Sequence, residues 1–396
     1  LQRLGALTDD IARAAVADPN AVIRLHALRA MAEQKDTSAV LYPVIAKALQ
    51  DENPHVRRAA IELMGRYPDM KTVELLIAFR KKIAEEDTHL IYTVRLVLRN
   101  LLRKEFLMQN AVALNWSNED AAVLSSVLVG VENPSSGAFL YNYVKTQQLP
   151  EKELPKTFMH IIRFIPAAQM NQVISLAMNK AKEDPRSEYQ IFKYLQQGLQ
   201  KRPANEPPQF ASWGKSIVGK LMAKEQNVRS SLKQEEIDEQ FFAVTLAGDY
   251  KINSVAPRVS IVLQDSTIRD YVRQAAVRSL MKMDPEKNTV LIGKVLQNPF
   301  TTPDFKRTIV TVLSEFTSPS VSTVLAQIKN AAPDLQFWIV MALANSNSGR
   351  EVLLSKVKKG EIFARNLAEP KVEERMMLNS TPAQKKMYKE LTASVG

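Results

Sequence analysis

The chain has 396 residues, of which 45% are hydrophobic and 24% are charged, and this composition is typical of a folded protein with enough apolar material for a core. The absence of cysteine excludes disulfides, thiolate metal sites, CxxCH haem attachment and cysteine nucleophiles within these residues. No apolar run approaches the roughly 18 to 20 residues that cross a bilayer, so no membrane span is predicted.

The net charge of +11 makes an acidic partner such as nucleic acid conceivable. The basic excess is dispersed, however, because the densest clusters are short and interleaved with acids: Arg80–Lys82, Lys356–Lys359 and Lys385–Lys389. Phosphate contacts need one continuous basic surface. The clusters therefore favour solvated helix faces over a surface that takes nucleic acid as a partner.

An internal repeat lies at the start of the chain. The stretch ADPNAVIRLHALRAM is followed by DENPHVRRAAIELM, in which Asp51 and Arg57 each stand 33 positions after Asp18 and Arg24 (51 − 18 and 57 − 24). Repeats of this length indicate stacked supersecondary units rather than one compact core. The repeat points to architecture more clearly than to chemistry.

Helical periodicity runs along most of the chain, whereas clean strand alternation is hard to find, so the fold class is predicted to be all-α. Several helix starts are predicted where a capping side chain precedes proline or opens a capping box. These are Asp18-Pro19, Asn53-Pro54, Asp184-Pro185, Ser318-Pro319 and Thr381 with Gln384. Antiparallel helix pairs are predicted at 40–49 with 56–64, 70–84 with 88–103 and 118–130 with 135–147, and as a regular series from 252 to 359.

Arginines near the helix starts suggest how neighbouring pairs are joined. In a stack of pairs, an arginine of one turn can donate charge-assisted hydrogen bonds to an aspartate of the adjacent turn. Asp51 and Asp18 are the natural acceptors, and Arg57 is expected to bridge in this way. The predicted structural ladder consists of Asp18, Arg24, Asp51, Arg57, Arg95 and Arg273.

The Asp, Pro, Val-Arg, Ala, Leu order resembles the HEAT repeat, most specifically at 17–31 and 51–64. The resemblance implies a right-handed α-solenoid, a superhelix of antiparallel helix pairs. A period of 33 also suits ankyrin repeats, but their TPLH-type turn and glycines are missing here. HEAT-like pairs are therefore the better interpretation.

Longer segments, among them LQRLGALTDD, HIIRFIP and DLQFWIVMALANSNSGREVLLSKVKKGEI, resemble the middle part of bacterial multidomain proteins. Those proteins carry a propeller similar to sugar dehydrogenases, then HEAT repeats, then a c-type haem domain. The resemblance implies that this chain is a piece of such a membrane-bound dehydrogenase, as its start at Leu1 without methionine also suggests. It further implies flanking propeller and cytochrome c domains as partners and a periplasmic or membrane-associated location; otherwise the chain would simply be soluble. The redox activity of such relatives cannot reside here, because the CxxCH motif is absent.

The least regular region is KRPANEPPQ at 201–209, which has three prolines in nine residues. It is predicted to be a linker or a long loop between two HEAT-like arrays, 1–200 and 210–396. One continuous solenoid is the alternative.

No catalytic, cofactor-binding or metal-binding residue is identified, and no cofactor is expected. The four histidines form no HxxxH or HExxH spacing, and the stretch SWGKSIVG around Trp213 only partly matches phosphate-loop, GxSxG and SxxK motifs. Three aromatic residues are candidates for partner binding, although core packing is the commoner role for such rings. They are Trp213, Phe337 and Trp338.

The sequence therefore favours a noncatalytic scaffold solenoid that binds protein modules, as a spacer or docking module of a larger bacterial protein. One alternative is a nucleic-acid-binding HEAT solenoid. Another is an enzyme whose residues converge from distant repeats, which a pocket with clustered ionisable groups would favour.

Overall fold

The computed structural model describes residues 7–36, 38–181, 184–203, 205–223, 233–328 and 331–393. All regular secondary structure in these ranges is helical, which confirms the predicted all-α class. The structure divides into two compact units, of which the first ends at Pro207 and the second begins at Pro208. Each unit is described by itself.

The described residues of the first unit contain twelve α-helices. They are α1 (Asp9–Val16), α2 (Ala21–Ala32), α3 (Tyr42–Ala48), α4 (Pro54–Met64), α5 (Met70–Arg80), α6 (Thr88–Leu102), α7 (Glu105–Ala113), α8 (Asn118–Leu128), α9 (Pro134–Thr146), α10 (Leu154–Phe164), α11 (Met170–Lys180) and α12 (Pro185–Leu199).

The second unit contains eleven α-helices in its described residues. They are α13 (Pro208–Ala223), α14 (Gln234–Asp249), α15 (Ala256–Gln264), α16 (Asp270–Met283), α17 (Pro285–Gln297), α18 (Pro303–Leu313), α19 (Pro319–Ala326), α20 (Pro333–Leu343), α21 (Asn347–Lys358), α22 (Pro370–Asn379) and α23 (Pro382–Thr392).

The helices start where side chains cap them. Asn53, Asp184 and Ser318 each accept a hydrogen bond from a first-turn N–H directly before a proline, and Thr381 forms the predicted capping box. The missing N–H of proline costs nothing in a first turn, because that group has no partner inside the helix. Asp18-Pro19 was wrongly predicted as a cap. The cap of α2 is Asn20, which accepts from the N–H of Val22.

Within each unit the helices form two layers. Helices α2, α4, α6 and α8 pack successively in the first unit, and α14, α16, α18 and α20 do so in the second. Each also packs against a helix that is its neighbour in sequence, and where the connection is described and short the two helices form an antiparallel pair. The structure therefore has the predicted arrangement of stacked HEAT-like pairs. The handedness of the superhelix stays a prediction.

The core lies between the two layers. In α4, Val56 and Ala60 are fully buried and small Ala59 is 4% exposed, which allows close approach of the neighbouring helices. Glycine serves the same purpose at Gly198 of α12, where an added Cβ would lie 2.5 Å from Ile162 Cγ2 and 2.7 Å from the carbonyl oxygen of Met159. Among the described residues, no helix combines the length and apolar character needed to cross a membrane.

Candidate protein-interaction surface

Arg24 of α2 joins the first two helix pairs. Its Nε and Nη2 atoms each donate to a carboxylate oxygen of Asp51 at 2.8 Å, and Nη1 donates to the carbonyl oxygens of Asp18 and Pro19 at 3.0 Å. Although burial raises the pKa of Asp51, the hydrogen bonds from Arg24 and from the N–H of Asn53 outweigh it and hold that pKa below its usual range. The guanidinium of Arg24 thus binds a carboxylate through its Nε–Nη2 edge and two backbone carbonyls through Nη1.

Arg57 occupies the same position one repeat later and uses only one of these edges. Its Nη1 atom donates to the carbonyl oxygens of Asp51 and Glu52 at 2.9 and 3.2 Å, which matches the anchoring of Arg24. Among the described residues, no carboxylate lies within bonding distance of its Nε–Nη2 edge. The expected bridge from Arg57 to an adjacent turn is therefore replaced by bonds within its own turn.

A groove of about 590 Å³ lies beside Arg57 and is called here the Arg57 groove. Its apolar wall includes Leu75, Phe79 and Ile83, and Lys82 adds a second cation. Its full lining is Ala46, Leu49, Gln50, Asp51, Arg57, Leu75, Ala78, Phe79, Lys82, Ile83, Ala84, Asp87 and Leu90.

The other members of the predicted ladder are used differently. Arg95 donates to the carbonyl oxygen of Ser126 at 2.8 Å. The guanidinium of Arg273 lies 3.7 Å from the ring centre of Phe305 and donates to Asp270 at 2.9 Å. The structure therefore brings Arg24 and Asp51 together across neighbouring turns, whereas within the described ranges no equivalent aspartate lies opposite Arg95 or Arg273.

A second groove, of about 570 Å³, lies among α7, α8 and α9 and is called here the amide groove. Trp116, Phe139 and Tyr143 supply aromatic faces, and Asn115 and Asn142 are exposed amides at its edge. The rings of Phe139 and Tyr143 stack with centres 6.4 Å apart and an interplanar angle of 7°. None of the described side chains that line this groove is charged: Val112, Leu114, Asn115, Trp116, Asn118, Ala121, Ser135, Ala138, Phe139, Asn142, Tyr143, Thr146 and Gln147.

Sequence reasoning did not find the amide groove, although part of its signal is visible in the sequence. Phe139 and Tyr143 are four positions apart on α9, with polar Asn142 beside them, so both rings project from one face of that helix. Trp116 lies outside any helix and is placed by a 2.7 Å hydrogen bond from Nε1 to the carbonyl oxygen of Ala111. That contact depends on the fold and has no sequence signature.

The three predicted partner-binding aromatics differ in exposure. Trp213 of α13 is 2% exposed and packs edge-on against Phe210, so its ring belongs to the core and presents no face to a partner. Phe337 and Trp338 of α20 are half-buried and make an edge-on contact with centres 5.6 Å apart. Their role in partner binding stays a prediction.

A comparison with known families finds a match in the first part of the chain. Residues 8–88 match the family model described as HEAT repeats. The matched stretch contains α1 to α5 and includes Arg24, Asp51 and Arg57. No curated protein is significantly similar to this chain in sequence.

Several solved structures resemble the HEAT-like fold at low identity. One from a structure of Kap95p with RanGDP is 12% identical, with a TM-score of 0.48, and the alignment covers 97% of this chain and 56% of that one. Another, Kap121p, is 12% identical, with a TM-score of 0.40 and coverages of 97% and 48%. The chain spans about half the length of these structures. At such scores the likeness does not bear on function.

A buried pair of side chains combines the types found in hydrolases. The hydroxyl of Ser136 lies 2.7 Å from Nε2 of His160, and the two residues are 0% and 5% exposed. Burial, together with the positive charge of Arg163, lowers the pKa of His160 to about 4. Since Ser136 also bonds the carbonyl oxygens of Val131 and Asn133 at 2.6 Å, it fastens the start of α9 to α10.

The basic clusters are partly neutralised by acids. Arg80 donates to Glu85 at 2.9 Å, and Lys81 lies 2.7 Å from Asp120. In the second unit, Lys356 donates to Glu361 at 2.6 Å. These pairs disfavour a continuous phosphate-binding stripe. In the described ranges, no group of three or more histidine, aspartate or glutamate residues is placed to hold a metal ion.

Proposed function

We propose that this chain is a noncatalytic scaffold that binds extended segments of other proteins through the grooves between its stacked helices. The amide groove is the observation that carries the proposal. Asparagine and glutamine amides both donate and accept hydrogen bonds, so they match the alternating N–H and C=O groups of an extended peptide. Aromatic faces beside them suit apolar side chains, and such rings dominate the binding energy of many interfaces.

The absence of charged side chains among the described residues that line the amide groove limits which peptides it can bind. An uncharged lining offers no compensation for a buried ionic side chain, which would lose its hydration on binding. The segment bound there is therefore an uncharged stretch with apolar or aromatic side chains. The sealed positions of Ser136 and His160 support a role outside catalysis, because neither side chain is accessible to a substrate.

The wider setting proposed for the chain is a spacer or docking module in a multidomain bacterial protein. This proposal rests on the segments that resemble the middle, HEAT-repeat part of bacterial proteins in which a propeller precedes and a c-type haem domain follows. Flanking domains of those two kinds would then be partners. Sequencing the surrounding reading frame tests it. Propeller repeats upstream and a CxxCH motif downstream would support the proposal, and a reading frame without them would contradict it.

The binding function is tested by selecting displayed random peptides on the intact chain and measuring the affinity of the selected peptides by calorimetry. Asn142→Ala and Tyr143→Ala are expected to weaken peptides bound in the amide groove by roughly 10-fold or more. Tyr92→Ala is the matched control, because Tyr92 is 66% exposed on α6 and does not line the groove.

Two results would contradict this function. One is the recovery of no peptide with measurable affinity. The other is tight binding of duplex DNA at ~150 mM salt, where nonspecific phosphate contacts weaken, because it would favour the nucleic-acid alternative.

A further inference from the structure

We propose that the Arg57 groove is a carboxylate-binding site that takes an aspartate or glutamate side chain of a partner peptide together with an adjacent apolar residue. The proposal rests on the proposed protein-binding function and names the partner chemistry for a second groove. Its basis is a comparison of Arg57 with Arg24, which occupies the equivalent position of the preceding repeat.

Arg24 shows what this position of the repeat binds. Its Nη1 atom is fixed by two backbone carbonyls, and its Nε–Nη2 edge holds both carboxylate oxygens of Asp51 at 2.8 Å. Such paired, charge-assisted hydrogen bonds are strong and depend on the planar geometry of guanidinium. At Arg24 the bound carboxylate is that of Asp51, from the following turn of the chain. At Arg57 we expect the carboxylate of a partner peptide to occupy the corresponding position.

Arg57 has the same anchor but lacks that ligand within the described residues. Its Nη1 bonds to the carbonyl oxygens of Asp51 and Glu52 orient the guanidinium, so the Nε–Nη2 edge is held in place rather than free to rotate. An oriented donor pair loses little conformational entropy when an anion binds. Arg57 lines the groove directly.

The carboxylates already present near Arg57 have other roles. Asp51 is held by Arg24. Asp87 accepts from the N–H of Leu90 at 3.1 Å and caps α6. It follows Arg57 by 30 positions (87 − 57), whereas Asp51 follows Arg24 by 27, so the longer connection places the acid in a helix cap rather than opposite the arginine.

The surroundings of Arg57 select the kind of anion. Leu75, Phe79 and Ile83 form an apolar wall that suits a hydrophobic side chain next to the acid. Lys82 adds positive charge, while Asp51 and Asp87 also line the groove. A doubly charged phosphate would meet more repulsion from those two aspartates than a singly charged carboxylate does. The groove is therefore matched to an acidic side chain.

The test uses random peptides displayed against the intact chain, followed by affinity measurements on each selected peptide and on its Asp→Asn or Glu→Gln counterpart. We expect one class of peptides in which removal of a single carboxylate weakens binding to the wild-type chain by roughly 10-fold or more. On Arg57→Gln, the acidic peptide and its amide counterpart should bind equally weakly. Arg57→Lys, which retains the charge but not the paired donors, should also lose most of the preference.

Arg58→Gln is the matched control, because Arg58 is the neighbouring residue on α4 and pairs with exposed Glu62. It should preserve the preference for the acidic peptide. Melting curves identify any variant that fails to fold, and the peptide-side substitution still tests the site on the wild-type chain.

Two results would overturn the carboxylate site alone, and a third would count against both proposals. If every selected peptide binds without needing an acid, and Asn142→Ala weakens that binding, the carboxylate site would be overturned while the protein-binding function would stand. An acid preference that survives both Arg57→Gln and Arg57→Lys would overturn the site as well. Failure to select any peptide would count against both proposals.

Discussion

At the scale of single residues, the contact between Arg24 and Asp51 is the clearest link between successive repeats. Both side chains are largely buried, at 11% and 12% exposed, and they share two hydrogen bonds. Removing one partner leaves the other poorly solvated and unpaired. Arg24→Ala is therefore expected to lower the midpoint of the transition in which the first unit unfolds by roughly 4 °C or more.

The matched control for Arg24→Ala is Arg58→Ala, which breaks an exposed pair with Glu62 and should change the melting temperature little. A double-mutant cycle with Asp51→Ala should show strong coupling to Arg24, since each single change already removes the bond. Independent, additive effects of Arg24→Ala and Asp51→Ala would show that the bond does not join the repeats energetically.

His160 predicts a pH dependence of stability. Its pKa is about 4 in the folded chain against an ordinary value of 6.5, so the unfolded chain binds more protons between these values. The free energy of unfolding is therefore highest above pH 6.5, and it decreases as the pH falls from 6.5 towards 4. Between about pH 7.5 and pH 4.5, denaturant titrations should show a loss of about 2 to 3 kcal/mol attributable to His160.

The variant that checks this origin is His160→Gln, which cannot titrate and should flatten the stability profile over the same window. His26→Gln is the control, because the ring of His26 is exposed on α2 and meets solvent in both states. If the profiles of wild type and His160→Gln ran parallel, the loss of stability would have to come from other groups.

Residue-level contacts were the least predictable part of the molecule. The 33-residue repeat placed Arg24 and Arg57 at equivalent positions, and their shared anchoring to backbone carbonyls follows from that equivalence. The equivalence does not predict that Arg24 binds a carboxylate through its Nε–Nη2 edge and Arg57 does not. That difference depends on the length of the next connection and on the use of Asp87 as a helix cap. The contact of Ser136 with His160 spans two helices and leaves no pattern in the sequence.

At the scale of helices, hydrophobic periodicity and capping residues were enough to predict where most of the expected helix pairs lie. The pair expected at 70–84 and 88–103 appears as Met70–Arg80 and Thr88–Leu102. The predicted C-terminal boundary was late because apolar Ile83 packs in the turn after α5 and extends the helical pattern beyond the helix. The helix start predicted at Asp18-Pro19 was wrong because the turn there continues to Asn20, whose amide oxygen caps α2.

Close approach between helices gives a prediction for glycine. At Gly198, an alanine Cβ would lie 2.7 Å from the carbonyl oxygen of Met159, which is backbone and cannot rotate away. Gly198→Ala should therefore destabilise the chain by about 1 to 3 kcal/mol in denaturant titrations. Gly219→Ala on α13 is the control, since an added Cβ there meets nothing within 4 Å and alanine should stabilise by about 0.5 to 1 kcal/mol.

The expected signs for the two glycine variants are opposite, although both replace glycine by alanine inside a helix. A stabilising effect of Gly198→Ala would mean that α12 and the adjoining helix α10 can separate without cost. That result would show that close backbone approach at Gly198 is not needed for these two helices to pack.

At the scale of the whole molecule, the division at Pro207 and Pro208 raises the question of whether the two units unfold separately. In stacked repeats, stability is a sum of terms within units and between neighbours, so cooperativity depends on how strongly each unit holds together internally. We propose that the two arrays are separate cooperative blocks, and calorimetry of the intact chain should then show two transitions.

Two glycine variants assign those transitions. Gly198 lies in the first unit, and Gly248 lies in the second, where an added Cβ would come within 2.5 Å of the Cα atom of Ser279. Gly198→Ala should lower the midpoint of one transition and Gly248→Ala that of the other, because each clash acts on the packing of its own unit. A single transition that both variants shift equally would mean that destabilisation passes through the whole array, and the chain would then be one continuous solenoid in energetic terms.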